Sequence, residues 1–221
     1  VNERALGAGR GEALRRELCA KLNADFLAFH PARQHWEERR HPDWEKGNDI
    51  FIRGLARFIR TGAPGAGAVF VEWGRKVAES KALLAELGIA DRVLWIAPQH
   101  NHSMCRYISA CDLTADQFFL GAFGSTMPKT LAMGRAAMLY LDEEKHRWCF
   151  PEMPPVLNCR RPEQVGEALA RLYGDGNWRA ELGARGRRWY ERHHSGRVVV
   201  ERLGGLYGEL LARSPVGASG D

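Results

Sequence analysis

The stretch Asp116 to Gly134, DQFFLGAFGSTMPKTLAMG, concentrates the residue types that could handle a phosphate. A loop carrying Gly121 and Gly124 runs into a short helix bearing Lys129. Such a turn presents free backbone N–H groups and the positive end of a helix dipole, which suits an anionic ligand. Many α/β domains use the same pattern as a purely structural turn, so other residues must decide. A second candidate is the long loop His30 to Lys46, HPARQHWEERRHPDWEK. Arg33 follows its first end and Lys46 precedes its last, and a guanidinium and an ammonium from two ends of one loop can converge on a diphosphate. The competing reading is a solvated basic loop, since Arg39 and Arg40 lie there too. A third candidate is the turn after Trp95 and Ile96, where backbone groups of Ala97, Pro98 and Gln99 could meet a base edge.

These loops need elements to hold them. Apolar runs predict strands over Phe26–His30, Ala68–Trp73, Arg92–Ile96, Leu113–Ala115 and Ala136–Leu141, with a sixth near Pro155–Leu157. Helical spacing predicts helices between them. Phe51, Leu55 and Phe58 share one face of Asn48–Arg60, with Arg53, Arg57 and Arg60 largely opposite. Val77–Leu87 is stopped by Gly88, and Met104, Tyr107, Ile108 and Cys111 mark a helix over Asn101–Ala110. Val165, Leu169 and Leu172 mark a later one, and the C-terminal third is helical with a stripe of Leu203, Leu206, Tyr207 and Leu210. Strict β-α alternation implies parallel strands in a doubly wound sheet. Ligands then sit at the carboxyl ends of the strands, near a switch point, where the three loops emerge.

Composition narrows the function. With 45% hydrophobic residues, 221 residues can bury one sizeable core. The net charge of +5 is dispersed, which fits a small anionic ligand better than nucleic acid. Five cysteines without a C-x-x-C pair fit a reduced, cytoplasmic compartment. No apolar run reaches the ~20 residues of a membrane span. His30, His35 and His41 share one loop, and His100 and His102 another, but no cysteines stand at metal spacing, so no metal site is expected. Trp36, Trp44, Trp148, Trp178 and Trp189 read as packing residues, and His193-His194 as a helix-end pair.

The order of strand, Arg33, long loop and Lys46-Gly47, then LGIADRVLWIAP, then CDLTADQFFLGAFG and LAMGRAAML, resembles the C-terminal, donor-binding domain of GT-B glycosyltransferases of family 4. The resemblance covers Phe26 to about Leu211. It implies a doubly wound Rossmann-like parallel sheet, one half of a GT-B fold, with C-terminal helices. The expected organisation is a linker and N-terminal helix over 1–24, a nucleotide-sugar-binding domain over 25–195, a C-terminal helix over 196–213 and a disordered tail over 214–221. Arg33 and Lys46 match the pair that grips the donor diphosphate, and these are the expected catalytic residues. Ala122, Phe123, Gly124, Ser125 and Thr126 match the donor sugar and phosphate loop, and Ile96, Ala97 and Pro98 the segment meeting the base. The family's Glu-x7-Glu motif falls on Gly121, at the sugar-facing position, and on Lys129, at the ribose-facing one. Both carboxylates are absent, and a lysine can only donate to a ribose hydroxyl. Asp116 is the nearby acid.

The resemblance implies retaining transfer from a nucleotide-diphosphate sugar, with no other cofactor. Arg33, Lys46 and N–H groups near Ser125 and Thr126 would stabilise charge on the leaving diphosphate, each contact contributing about 2–4 kcal/mol. The segment Val1 to Leu22 is too short to be an acceptor domain. A glycan or lipid-linked acceptor would therefore need a missing N-terminal half, and peripheral membrane association would belong to that whole enzyme. Two alternatives remain. One is a non-catalytic nucleotide-sugar-binding or partner-binding domain that has lost the carboxylates. The other is a sugar-nucleotide epimerase of the same fold.

Overall fold

A computed structural model describes residues 11–37 and 44–213. In chain order the elements are α1 (Glu12–Leu22), β1 (Phe26–His30), α2 (Asn48–Arg60), β2 (Ala66–Val71), α3 (Val77–Glu86), β3 (Val93–Ile96), α4 (Asn101–Ala110) and β4 (Leu113–Ala115). Then follow α5 (Thr126–Ala132), β5 (Ala136–Leu139), α6 (Glu143–His146), β6 (Leu157–Asn158), α7 (Pro162–Gly174), α8 (Gly176–His193) and α9 (Gly196–Arg213). The strands form one parallel sheet in the order β3-β2-β1-β4-β5-β6. The order reverses between β1 and β4, so the crevice at their carboxyl ends is the switch point.

Burial follows the two-residue period of the strands. Phe26 and Ala28 of β1 and Ala68 and Phe70 of β2 face one core with Phe51, Leu55 and Phe58 of α2 and Val165 and Leu169 of α7. Leu27 and Phe29 face the other side, with Val69, Val71 and Ile108. Leu18 and Leu22 of α1 are buried in that second core, so this helix packs as part of the domain. A third cluster joins β5 to α5 and α8 through Ala137, Leu139, Leu131 and Trp189. Both faces of the sheet are therefore covered, and β1 and β2 read as unbroken apolar runs for that reason.

Boundaries differ from the expected ones where glycine misled. β2 starts at Ala66, because Ala66 and Gly67 already pair with Phe26 and Leu27. The strand thus begins and ends two residues earlier than the expected Ala68–Trp73. β5 stops at Leu139, and the sixth strand lies at Leu157–Asn158. Trp36 and Trp189 are packing residues, but Trp148 is 86% exposed and Trp44 is 44% exposed, so neither of these belongs to the core. The apolar stripe of α9 also faces outward. Leu203, Leu206, Tyr207 and Leu210 are each about half exposed or more, at 46, 52, 61 and 52%. The 214–221 tail, His41, Arg39 and Arg40 lie outside the described residues. Among the described residues no helix is long and apolar enough to cross a membrane.

Candidate functional site

The loop after β1 is held rather than solvated over its first half. Pro31, Ala32, Gln34, His35 and Trp36 are buried. The Gln34 N–H donates to the Trp73 carbonyl at 2.8 Å, and the Gln34 carbonyl accepts from the Lys76 N–H at 3.1 Å. The Gln34 side chain accepts from Ser80 Oγ at 2.8 Å, and Ser80 Oγ accepts from Trp36 Nε1 at 2.9 Å. These bonds tie the loop to the turn after β2 and to α3. The two ends of the loop then meet: the Lys46 N–H donates to the His35 carbonyl at 2.7 Å. Lys46 in turn accepts, through its carbonyl, the Phe118 N–H at 2.7 Å, which joins this loop to the segment leaving β4.

Behind this junction lies a buried polar relay. His30 is fully buried at the end of β1, between the rings of Phe51 and Phe70. Its Nδ1 lies 2.9 Å from the Ala115 carbonyl and its Nε2 lies 2.9 Å from Asn48 Nδ2. A carbonyl can only accept, so Nδ1 carries the proton and Nε2 accepts. Asn48 Oδ1 takes the His35 N–H at 2.9 Å. Burial pushes the imidazole down to about 4, which keeps it neutral at physiological pH. The sequence signalled His30 only as a strand end or metal ligand, and Asn48 only as a helix start. Among the described residues no group of three metal-binding side chains gathers here or elsewhere.

Arg33 and Lys46 are brought to the same crevice. Arg33 Nε is buried without a hydrogen-bond partner among the described residues, and its guanidinium lies 5.9 Å from the ring centre of Trp44. Lys46 Nζ donates to Gln117 Oε1 at 3.1 Å. Burial holds the Lys46 ammonium below the usual lysine range, with Asp116 opposing that shift and Arg33 adding to it. An ammonium whose proton affinity a nearby guanidinium lowers would be relieved by an anion placed between the two. Gln117 was not singled out by its spacing, yet it is central. It is buried at 2% exposure, its carbonyl takes the Tyr140 N–H at 2.7 Å, and its side-chain amide donates to the Ala122 carbonyl. It therefore fixes Lys46 and the glycine loop with one side chain.

The glycine loop closes the crevice from the β4–β5 side. Gly121 is buried with a φ of +74°, and a Cβ there would lie 2.9 Å from Asp142 Cβ and 2.9 Å from a Tyr140 ring carbon. A glutamate is thus excluded from this position by backbone shape and by space together. Ala122, Phe123, Gly124 and Thr126 are half-buried, and Ser125 is exposed at the start of α5. Phe123 turns away from the crevice to stack edge-on with Phe150 and Trp189. Lys129 is half-buried on α5, close enough to Asp116 to pull its proton affinity down. Ile96, Ala97 and Pro98 lie at the same edge of the sheet, two strands from β1, or about 10 Å. The Ile96 carbonyl already accepts from the Glu72 N–H at 2.8 Å, and the Ala97 carbonyl from Gln99 Nε2 at 2.7 Å.

No family model matches the chain, and no curated protein matches it. Solved structures do. HepE from Anabaena, determined in complex with UDP and glucose, aligns with a TM-score of 0.74 at 15% identity, covering 95% of this chain and 55% of that one. A glycosyltransferase from Rickettsia africae aligns with a TM-score of 0.73 at 13% identity, covering 97% and 56%. The C-terminal domain of LpcC, a group 1 glycosyl transferase from Francisella tularensis, aligns with a TM-score of 0.65 at 14% identity, covering 89% of this chain and 99% of that domain. These likenesses define the fold as a Rossmann-like α/β domain of the kind that forms the C-terminal half of GT-B glycosyltransferases. The chain accordingly spans about half the length of HepE and of the Rickettsia protein.

Proposed function

We propose that this chain is the donor-binding domain of a glycosyltransferase and holds a nucleotide-diphosphate sugar at the β1–β4 switch point. The observation that carries this reading is the pair Arg33 and Lys46, at the two ends of one pinned loop, with a buried guanidinium nitrogen that has no hydrogen-bond partner among the described residues. A diphosphate would supply the missing acceptor and offset the mutual repulsion of the two cations. The likeness to HepE, which was crystallised with UDP-glucose, favours the same ligand class. In a retaining transfer, Arg33 and Lys46 would stabilise the negative charge that grows on the leaving diphosphate. The base would rest against Ile96, Ala97 and Pro98, and the glycine loop would carry the sugar. No other cofactor is proposed. A glycan or lipid-linked acceptor would be held by a further domain or subunit, for which the outward apolar stripe of α9 offers a contact surface. A cytoplasmic site fits the five free cysteines.

Titration of the chain with UDP, GDP and ADP tests the reading. One of the three should bind, and Arg33→Ala should weaken it by about 10- to 100-fold, the worth of one charge-assisted contact. Equal affinity in the variant would remove Arg33 from the site. A second reading has its own support: Lys129 and Gly121 leave the loop and α5 without the acids that the family uses, which favours binding without turnover. Donor hydrolysis at wild-type Arg33 separates the two, since only a catalytic domain would release free sugar.

A further inference from the structure

Asp116 is the first residue after β4, at the switch point, and it is only 8% exposed. A carboxylate offers several acceptor sites and no donor, and when buried it normally takes two or more hydrogen bonds from the protein. Among the described residues Asp116 takes none: no N–H or O–H group donates to its side chain and no cation stands at ion-pair distance, while Lys46 Nζ is bonded to Gln117 instead. Its orientation is toward the ligand loop: Oδ2 lies 2.3 Å from the point where Gly124 would carry a Cβ. So this is a carboxylate in the crevice wall, largely buried but with oxygens open to the crevice, aimed at the glycine loop, with cations at Lys46 and Lys129 supplying a favourable field from further away. Burial pushes its carboxyl up to about 6 while those two lysines pull it down, and it stands ionised at neutral pH.

The chemistry of the missing partner follows. A phosphate is excluded, because two anions would meet in a poorly solvated crevice. A neutral ligand with adjacent hydroxyls fits, because it brings donors and no charge. Those hydroxyls could sit on the ribose or on the transferred sugar. Contact with Gly124, in the loop whose own sugar-facing position is the unsubstitutable Gly121, favours the second. We propose that Asp116 accepts hydrogen bonds from the hydroxyls of the donor's sugar, reaching the glycine loop from the end of β4 in place of an acid on the loop itself. This assignment rests on the nucleotide-sugar reading above.

The test is a calorimetric comparison, at about pH 7.5, of UDP, GDP and ADP with UDP-glucose, UDP-N-acetylglucosamine, GDP-mannose and ADP-glucose. The proteins are the wild-type chain and Asp116→Asn, which keeps shape and loses charge. The expected result is that the substitution weakens the sugar conjugate by about 10- to 100-fold and leaves the matching diphosphate within about threefold or slightly tighter. Gly124→Ala, whose new methyl would displace the carboxylate, should shift the same ratio in the same direction. Equal weakening of diphosphate and conjugate would make Asp116 a ribose ligand and overturn the proposal. An unchanged ratio, or diphosphate binding in wild type with no conjugate binding, would overturn it as well. Absence of any diphosphate binding would instead sink the nucleotide-sugar reading, and this assignment with it.

Discussion

A carboxylate kept for a ligand should cost stability when the ligand is absent, and Asp116 makes that cost measurable. Moving its carboxyl from an ordinary 3.8 to about 6 corresponds to about 3 kcal/mol of folding free energy. The folded protein holds the proton more tightly than the unfolded chain, so this stability is present below about pH 4 and is lost as pH rises to about 6. Neutral solution is where the full cost applies. Asp116→Asn removes the charge and keeps the volume. The new amide must still find partners, so the net gain at about pH 7.5 should be about 1–3 kcal/mol. His30 works in the opposite sense. Its depressed value of about 4, against an ordinary 6.5, gives stability above pH 6.5 that is lost as pH falls to about 4, again by about 3 kcal/mol. In wild type the two groups nearly cancel between about pH 4 and 6. In the variant the His30 loss should stand uncovered. Urea unfolding followed by tryptophan fluorescence, at about pH 7.5 and 4.5, reads both effects. With a slope of about 3 kcal/mol/M, the midpoint at pH 7.5 should rise by up to about 1 M. A variant that is equal to or weaker than wild type at pH 7.5 would mean that the protein itself satisfies Asp116, and would refute the reasoning.

Other perturbations follow from the same geometry. Gly121→Glu, which places an acid on the glycine loop itself, should destabilise the fold by about 2 kcal/mol or more, because φ is +74° and Asp142 and Tyr140 leave no room; thermal denaturation checks it. Asn48→Ala orphans His30 Nε2 and the His35 N–H and should cost about 2–4 kcal/mol in urea unfolding, with weaker diphosphate binding because the Lys46 end of the loop loosens. Lys46→Met should weaken diphosphate binding by about 10- to 100-fold in calorimetry and leave the unfolding midpoint unchanged or higher, since burial of that ammonium opposes folding. Leu206→Ser with Leu210→Ser on the outward face of α9 should leave the stability of the chain within about 0.5 kcal/mol by thermal unfolding.

The sheet was legible because both its faces are covered. Burial on two sides turns β1 and β2 into apolar runs, and such runs between amphipathic helices announce themselves in sequence. Phe51, Leu55 and Phe58 could be placed on the inner face of α2 from spacing alone, with Arg53, Arg57 and Arg60 exposed. Arg33 and Lys46 could be picked out because they stand at the two ends of one long loop, the first just after β1 and the second just before α2. The connecting residues could not. Gln117 meets Lys46 across 71 positions, and His30 meets Ala115 across 85, so no local pattern records either pair. A solvated loop after β1 stayed open as the competing reading because its charges dominate, while the residues that fasten it, Gln34 and Trp36, find Ser80 on a distant helix. Trp148 shows the opposite error: an aromatic residue was assigned to packing by type, and it is 86% exposed.

The two halves of the crevice differ in how they are built. On the phosphate side every support is internal. His35, Asn48, His30 and the Ala115 carbonyl form one relay, and Lys46, Gln117 and the Ala122 carbonyl form another, so the Lys46 side chain is oriented, and the loop ends that carry Arg33 and Lys46 are held, before any ligand arrives. Preorganised cations cost little to use, and on the reading proposed above they would bind a diphosphate whatever is attached to it. On the side proposed for the sugar the loop backbone forbids an acid at Gly121, α5 offers the cation Lys129, and a carboxylate comes from Asp116 just after β4. Substitutions on the first side should therefore change affinity for every nucleotide alike. Those on the second should change only the preference among sugars, and whether transfer follows binding. An assay that measures nucleotide binding alone cannot distinguish a rebuilt donor site from an abandoned one; the ratio between conjugate and diphosphate can, because only a site that still grips the sugar makes that ratio depend on Asp116.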